Sequence, residues 1–199
     1  MLGRLKRVTP DMKILVLYGT TDGQTAKICA FIAETLRAKG AVVTLADIAT
    51  PGTSVDLRDY QAAIVAASIH VGQYQRTVVD FARANHARLN DMPSAFVSVS
   101  LSTVNSDSEE RLSLETCVEN FKAYTGWTNA QVHHVAGAIR TTGYDFFKRW
   151  TTKLLAWEKN LKLEPGKDLE LTDWRALAAT LDALYARFAE ATSRTDTSG

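Results

Sequence analysis

A doubly wound α/β fold, with a five-stranded parallel sheet and helices on both faces, is predicted by three observations. Short runs such as residues 14–17 and 62–67 are wholly apolar, and a strand without polar alternation is one covered on both sides. The stretches between such runs carry apolar residues at helical spacing with short connections, which implies parallel strands joined by right-handed crossovers. Three of the strands empty into polar, hydroxyl-bearing loops, and in such sheets ligands lie beyond the carboxyl ends of the strands.

The first strand spans residues 12–18 and stops in Gly19-Thr20-Thr21-Asp22-Gly23-Gln24-Thr25. A helix follows over residues 26–39, with Ile28, Phe31, Ile32 and Leu36 forming one apolar stripe and Gly40 at the place of a left-handed cap. Residues 41–47 form the second strand, and residues 48–60, with Pro51-Gly52, an irregular connection. The third strand, 62–67, opens into the loop 68–74, and a helix over 77–90 turns Val78, Phe81, Ala82, Asn85 and Leu89 inward. Pro93 precedes the fourth strand, 94–100, which leads into a loop over residues 101–105. Asp107 with Glu110 makes a capping box for a helix to about Tyr124, with Leu114, Val118 and Phe121 inside and Gly126 closing it. The fifth strand spans 131–139, and Thr172-Asp173 caps a last helix on which Trp174, Leu177, Ala178, Leu181, Leu184, Tyr185 and Phe188 hold the period. Residues 1–11 read as an extension, 12–190 as one domain, and 191–199 as a small, polar, flexible tail.

With 199 residues, 46% of them hydrophobic, the chain supports one such core. Its formal net charge of +1 offers no single-sign field for nucleic acid. Cys29 and Cys117 stand far apart in no metal or redox spacing and read as buried apolar thiols of a reducing compartment. No run approaches the roughly 18 apolar residues of a spanning helix, and the start lacks a signal-peptide core, so a cytoplasmic protein is expected.

The loop 19–25 sits where a helix begins, and the first helical N–H groups, unsatisfied and at the positive end of the dipole, favour an anion. Gly23 is followed by Gln24-Thr25 instead of the Lys-Ser/Thr of a triphosphate cradle, and the Gly-x-Gly-x-x-Gly of dinucleotide binders is absent. Two readings stand on the loop alone: a capped turn, or a phosphate held by Thr and Gln side chains and amides with no cation beside it. The companion loops tip this balance, because Ser68, Tyr74 and Ser100 would flank a flat heterocycle beside that phosphate. A phosphate and a planar ring describe a mononucleotide, and flavin mononucleotide (FMN) is the one that performs redox chemistry unaided.

The loop 19–25 resembles the flavodoxin phosphate loop, and the chain from Met12 to about Arg187 more closely resembles the flavodoxin-like, menaquinone-dependent protoporphyrinogen IX dehydrogenases. The resemblance is carried by Asp22-Gly23-Gln24-Thr25, Ala67-Ser68-Ile69 with Gly72 and Tyr74, Met92-Pro93-Ser94-Ala95-Phe96, Val135-Ala136-Gly137-Ala138 with Arg140, and Thr172-Asp173-Trp174, in that order. It implies strand order 2-1-3-4-5. It also implies that Thr20, Thr21, Asp22, Gly23, Gln24 and Thr25 bind the flavin phosphate. Ser68, Ile69, His70, Val71, Gly72, Gln73 and Tyr74 would then line one side of the isoalloxazine, and Ser100, Leu101, Ser102 and Thr103 the other. Departures from the family pattern lie on the ring side, at His70, Val71 and Gln73, while the phosphate side keeps it.

Residues 141–171 exceed what a minimal fold of this kind needs. Within 144–163, Phe147, Trp150, Leu154, Trp157 and Leu161 recur at near-heptad spacing among Lys148, Arg149, Lys153, Lys159 and Lys162. That basic amphipathic helix suits either the edge of an anionic membrane and the flavin mouth, or packing on protein at a sheet edge or in a homo-oligomer. His133 and His134, adjacent on a strand, point to opposite faces and form no joint metal site. His70 is the imidazole expected beside the ring, as a proton relay or substrate contact. Three functions follow for testing: an FMN oxidoreductase passing electrons from a porphyrinogen-like substrate to a quinone, a flavodoxin-like electron carrier, and a cofactor-free binding module.

Overall fold

Ile14 and Val16 are fully buried on one side of the first strand, and Leu15 and Leu17 are equally buried on the other. This two-sided burial sets the architecture. In the computed structural model, which describes residues 12–20, 23–70, 72–100, 108–139 and 169–195, the chain runs through β1 (Lys13–Gly19), α1 (Gln24–Ala38), β2 (Val42–Asp47), a 3₁₀ turn (Leu57–Asp59), β3 (Ala62–His70), β4 (Gln73–Tyr74), α2 (Arg76–Ala84), α3 (His86–Asp91), β5 (Ser94–Ser100), α4 (Ser108–Thr125), β6 (Gln131–Ala136), β7 (Ala138–Ile139), β8 (Leu169–Glu170) and α5 (Trp174–Thr195). The main sheet has the order β2-β1-β3-β5-β6 with every pair parallel. Setting the short β4 aside, this is the expected order 2-1-3-4-5.

The two faces build two cores. Ile28, Ile32 and Leu36 of α1 and Leu177, Leu181 and Leu184 of α5 cover one face. Val78 of α2, Leu89 of α3, and Val118 and Phe121 of α4 cover the other, together with Trp127. Both cysteines are buried, as expected of two thiols in no metal or redox spacing.

Four differences from the sequence reading have local causes. β3 continues three residues beyond Ala67, because Ile69 pairs with Tyr74 and His70 with Gln73 in a hairpin turned by Gly72 at φ 74°. The helix expected over 77–90 is two helices, broken at Asn85 (φ −114°, ψ 11°), whose side-chain amide donates to the Phe81 carbonyl at 2.9 Å and so competes with the helical ladder. The fifth strand stops at Ala136: the Gly137 N–H makes a last ladder bond to the Ser100 carbonyl, and the two residues beyond pair instead with β8. The last helix runs to Thr195, past the expected start of a flexible tail; the Thr192 hydroxyl donates to the Phe188 carbonyl at 2.8 Å. The extension 1–11, the Asp107–Glu110 capping box and the helix expected over 144–163, with Trp150 and Trp157, lie outside the described residues.

Candidate functional site

Parallel pairing aligns the carboxyl ends of the strands, with Gly19 opposite Ala67 and Ser100 opposite Ala136. The loops after β1, β3 and β5 therefore open on one edge of the sheet. At the first of them, Gly23 holds the N-cap position of α1 in the left-handed region (φ 82°) and no side chain caps the helix. The Thr20 hydroxyl accepts from the Gly23 N–H at 2.8 Å, so its oxygen is engaged and its own proton can be given to an anion. Thr25 is 1% exposed on the inner side of the first turn. Gly19 must be glycine, because a Cβ there would lie 2.7 Å from Val78 Cγ2, where β1 meets the start of α2.

Gln24 does something the sequence did not indicate. Its side-chain amide nitrogen donates to Glu170 Oε1 at 2.5 Å and to Thr172 Oγ1 at 3.1 Å, which uses both of its N–H bonds. Its side chain is thus a strut between α1 and the segment from β8 to the start of α5. One turn along α1, Lys27 pairs with Glu170. Burial pulls the Glu170 carboxyl upward, but hydrogen bonds from Lys27 and Gln24 outweigh it and leave the group below its ordinary range.

On the ring side, Tyr74 does not stand beside the opening. It is 8% exposed, packs edge-on to Phe96 and Phe121, and donates to Ser98 Oγ at 2.9 Å. Desolvation in that setting raises its hydroxyl pKa. Tyr74 therefore anchors the hairpin from below. Ser68 is held by Gln75, which accepts from the Ser68 N–H at 3.0 Å and donates to its hydroxyl. The Cys117 thiol donates to the Gly72 carbonyl at 3.2 Å and fixes the hairpin turn to α4. Ile69, His70 and Gln73 sit in the hairpin itself, with His70 Nε2 shielded from solvent. Ser100 is 7% exposed at the end of β5. Thr21, Asp22, Val71, Leu101, Ser102 and Thr103 lie outside the described residues. Of the supporting residues that sequence reasoning missed, Glu170 and Thr172 are remote in sequence from the loop they brace, and Gln75 and Cys117 carry no signature of their own.

Away from this edge, His133 is half-buried with Nε2 lacking a hydrogen-bond partner, and His134 is exposed. No group of three potential metal ligands occurs among the described residues. A depression of about 260 Å³ lined by Ser94, Gln131, Arg187 and Arg194 lies at the opposite, amino end of the sheet and has no part in the site. Burial lowers the pKa of both imidazoles, aided at His133 by the charges of Arg187 and His134 and opposed at His134 by Glu115. A depressed folded-state value means that the unfolded chain binds the proton more readily, so stability is present above the ordinary histidine pKa of about 6.5 and is lost below it. The urea midpoint should fall between pH 7.5 and 5.5 and His133→Gln should flatten the slope; an unchanged midpoint would contradict this linkage.

The Flavodoxin domain family matches residues 15–164. This chain belongs to the flavodoxin-domain family. Within it, the chain is 30% identical over 168 residues to protoporphyrinogen IX dehydrogenase [quinone] of Escherichia coli strain K12, covering 84% of this chain and 91% of that one. It is also 30% identical to the protein of the same name from Leishmania major, over 83% of this chain and 71% of the other. These relatives place it among the protoporphyrinogen IX dehydrogenases, a family of oxidoreductases. Among solved structures, rubredoxin oxygen:oxidoreductase of Desulfovibrio gigas superposes with a TM-score of 0.52 at 13% identity, covering 92% of this chain; the chain spans 36% of that protein's length, and the likeness supports the flavodoxin fold alone.

FMN is the group that this flavodoxin-domain family implies, and the phosphate side fits it. An uncapped helix N-terminus with a left-handed glycine and an inward threonine is an anion cradle. The hairpin after β3 is braced from beneath by Tyr74, Gln75 and Cys117, beside the end of β5 at Ser100.

Proposed function

We propose that the protein is an FMN-dependent oxidoreductase that passes electrons from a reduced, porphyrinogen-like substrate to a quinone. The observation that carries this reading is the uncapped, glycine-led start of α1 at the carboxyl edge, flanked by two further loops in a chain of this family. FMN, when bound, would supply an acceptor for hydride and a donor of electrons to the quinone. The chain's own part is positional. Thr20, the first-turn amides and Thr25 would hold the phosphate, as would the Thr21 hydroxyl and the backbone N–H of Asp22. The hairpin 68–74 and the start of the loop at Ser100 would bound the ring and exclude water from its faces. His70, at the end of β3, would serve as a proton relay or substrate contact.

The test is anaerobic: the flavin-loaded protein is photoreduced and mixed with a soluble menaquinone analogue. Return of the oxidised flavin bands within the mixing experiment is expected, and no reoxidation would reject the dehydrogenase reading in favour of an electron carrier. A net charge of +1 already weighs against a carrier, because such shuttles are steered by strongly charged faces.

We further read residues 144–163 as a basic, aromatic segment that brings the protein to the inner face of an anionic membrane, where lipophilic quinones reside. No helix among the described residues is long and apolar enough to cross a membrane, so the contact would be peripheral. Deletion of 144–163 should abolish co-sedimentation with anionic vesicles while FMN binding persists; retained sedimentation would exclude the segment.

A further inference from the structure

We propose that Glu170 is a positioning residue that sets the first turn of α1 and, through it, the phosphate subsite. The starting point is that α1 has no side-chain cap, yet its first turn must hold its amides in a fixed direction if they are to grip an anion. Gln24 and Lys27, three residues apart and therefore on one face, both reach the carboxylate of Glu170, one to each oxygen. The second Gln24 proton goes to Thr172 Oγ1, and the Thr172 hydroxyl in turn donates to the Ala136 carbonyl at 2.7 Å. Every donor and acceptor in this chain points the same way, from helix to sheet.

The anchor beneath Glu170 is equally defined. Glu170 pairs with Ala138 across the β7–β8 ladder, the Leu171 N–H donates to the Gly137 carbonyl at 3.2 Å, and the Gly137 N–H donates to the Ser100 carbonyl at 3.1 Å. A continuous hydrogen-bonded path therefore joins the start of α1 to the end of β5, two of the three loops that bound the site. The Lys27 and Glu170 side chains remain 58% and 33% exposed, so the ion pair itself contributes little. What the carboxylate supplies is a fixed acceptor for Gln24, while pairing keeps the Lys27 charge from acting as a free counter-ion to the phosphate.

Two variants and two readouts test this. In the cofactor-free protein, amide exchange at Lys27 and Ile28 should accelerate in Glu170→Ala, with exchange in α5 unchanged, and should stay near wild type in Glu170→Gln, which keeps an acceptor oxygen. This arm does not depend on the flavin. In the second arm, which rests on the FMN reading, the ratio of FMN to riboflavin affinity should fall roughly tenfold in Glu170→Ala, the size of one lost hydrogen bond to charge, and within about twofold of wild type in Glu170→Gln, as expected for a retained contact. Wild-type protein that binds FMN no better than riboflavin would remove the phosphate reading, and the exchange arm alone would then judge the strut. The positioning role is overturned by unchanged exchange in Glu170→Ala, by acceleration throughout the fold, by tighter FMN binding in Glu170→Ala, or by Glu170→Gln behaving like Glu170→Ala.

Discussion

Trp127→Ala is expected to lower the free energy of unfolding by about 3–5 kcal/mol, the range for removing a fully buried aromatic side chain. The indole is 0% exposed and meets Phe96 and Phe121 edge-on at ring separations of 5.9 and 6.3 Å. Its Nε1 donates to Ser94 Oγ at 3.2 Å, and that hydroxyl passes its own proton to the Leu89 carbonyl. Truncation therefore opens a large cavity in the core beneath α2, α3 and α4, and also takes a donor away from a chain that ties α3 to β5. Urea denaturation measures the loss directly, and Trp127→Phe should recover part of it by refilling the space without restoring the hydrogen bond. A shift below about 1 kcal/mol in Trp127→Ala would mean that the neighbours collapse into the gap, contrary to the close packing seen here.

The second large effect concerns the cofactor. Thr20→Val with Thr25→Val should weaken FMN binding by about two orders of magnitude, since hydrogen bonds to a charged group contribute roughly 1.5–3 kcal/mol each. The shape of each side chain is nearly kept, so the loss should fall on the phosphate: riboflavin, which lacks it, should bind the double variant almost as it binds the wild type. Thr20 has a further role that valine also removes, since its oxygen receives the Gly23 N–H and fixes the turn before α1. Equal losses for FMN and riboflavin would place the phosphate elsewhere.

The layout of the fold was legible because its signals are local and repeated. The apolar runs at Ile14 to Leu17 and Ala62 to Ala67 became the buried strands, and the helical stripe through Ile28, Ile32 and Leu36 became the face of α1. Boundaries failed where a tertiary contact outranked the local pattern. Nothing near Ile69 announces that it will pair with Tyr74, and a strand pattern through Ile139 cannot reveal that Ala138 and Ile139 will pair with β8 instead. The site divides in the same way. Glycine and threonine in the first loop carry their chemistry in their type and spacing, so a capped turn and a phosphate site could both be read there, and the companion loops tipped the balance. Tyr74 could not be placed, because a tyrosine at the end of a strand suits either the mouth of a pocket or the core under it, and the choice was made by Phe96, Phe121 and Ser98. Gln24 was assigned to the phosphate by position, and only Glu170, 146 residues away, shows its side chain to be otherwise engaged.

The β7–β8 ladder is only two residue pairs long, with Ala138 opposite Glu170 and Ile139 opposite Leu169. Antiparallel partners stand about 5 Å apart, so the chain departs from the domain and rejoins it at almost the same point. The stretch between is thereby a cassette: whatever its length, its two ends present the domain with one fixed doorway. Because the entropy of closing a loop rises only slowly with its length, such a cassette can be lengthened, shortened or exchanged at small cost to the sheet. The sheet and the stretch between β7 and β8 are then free to change at different rates.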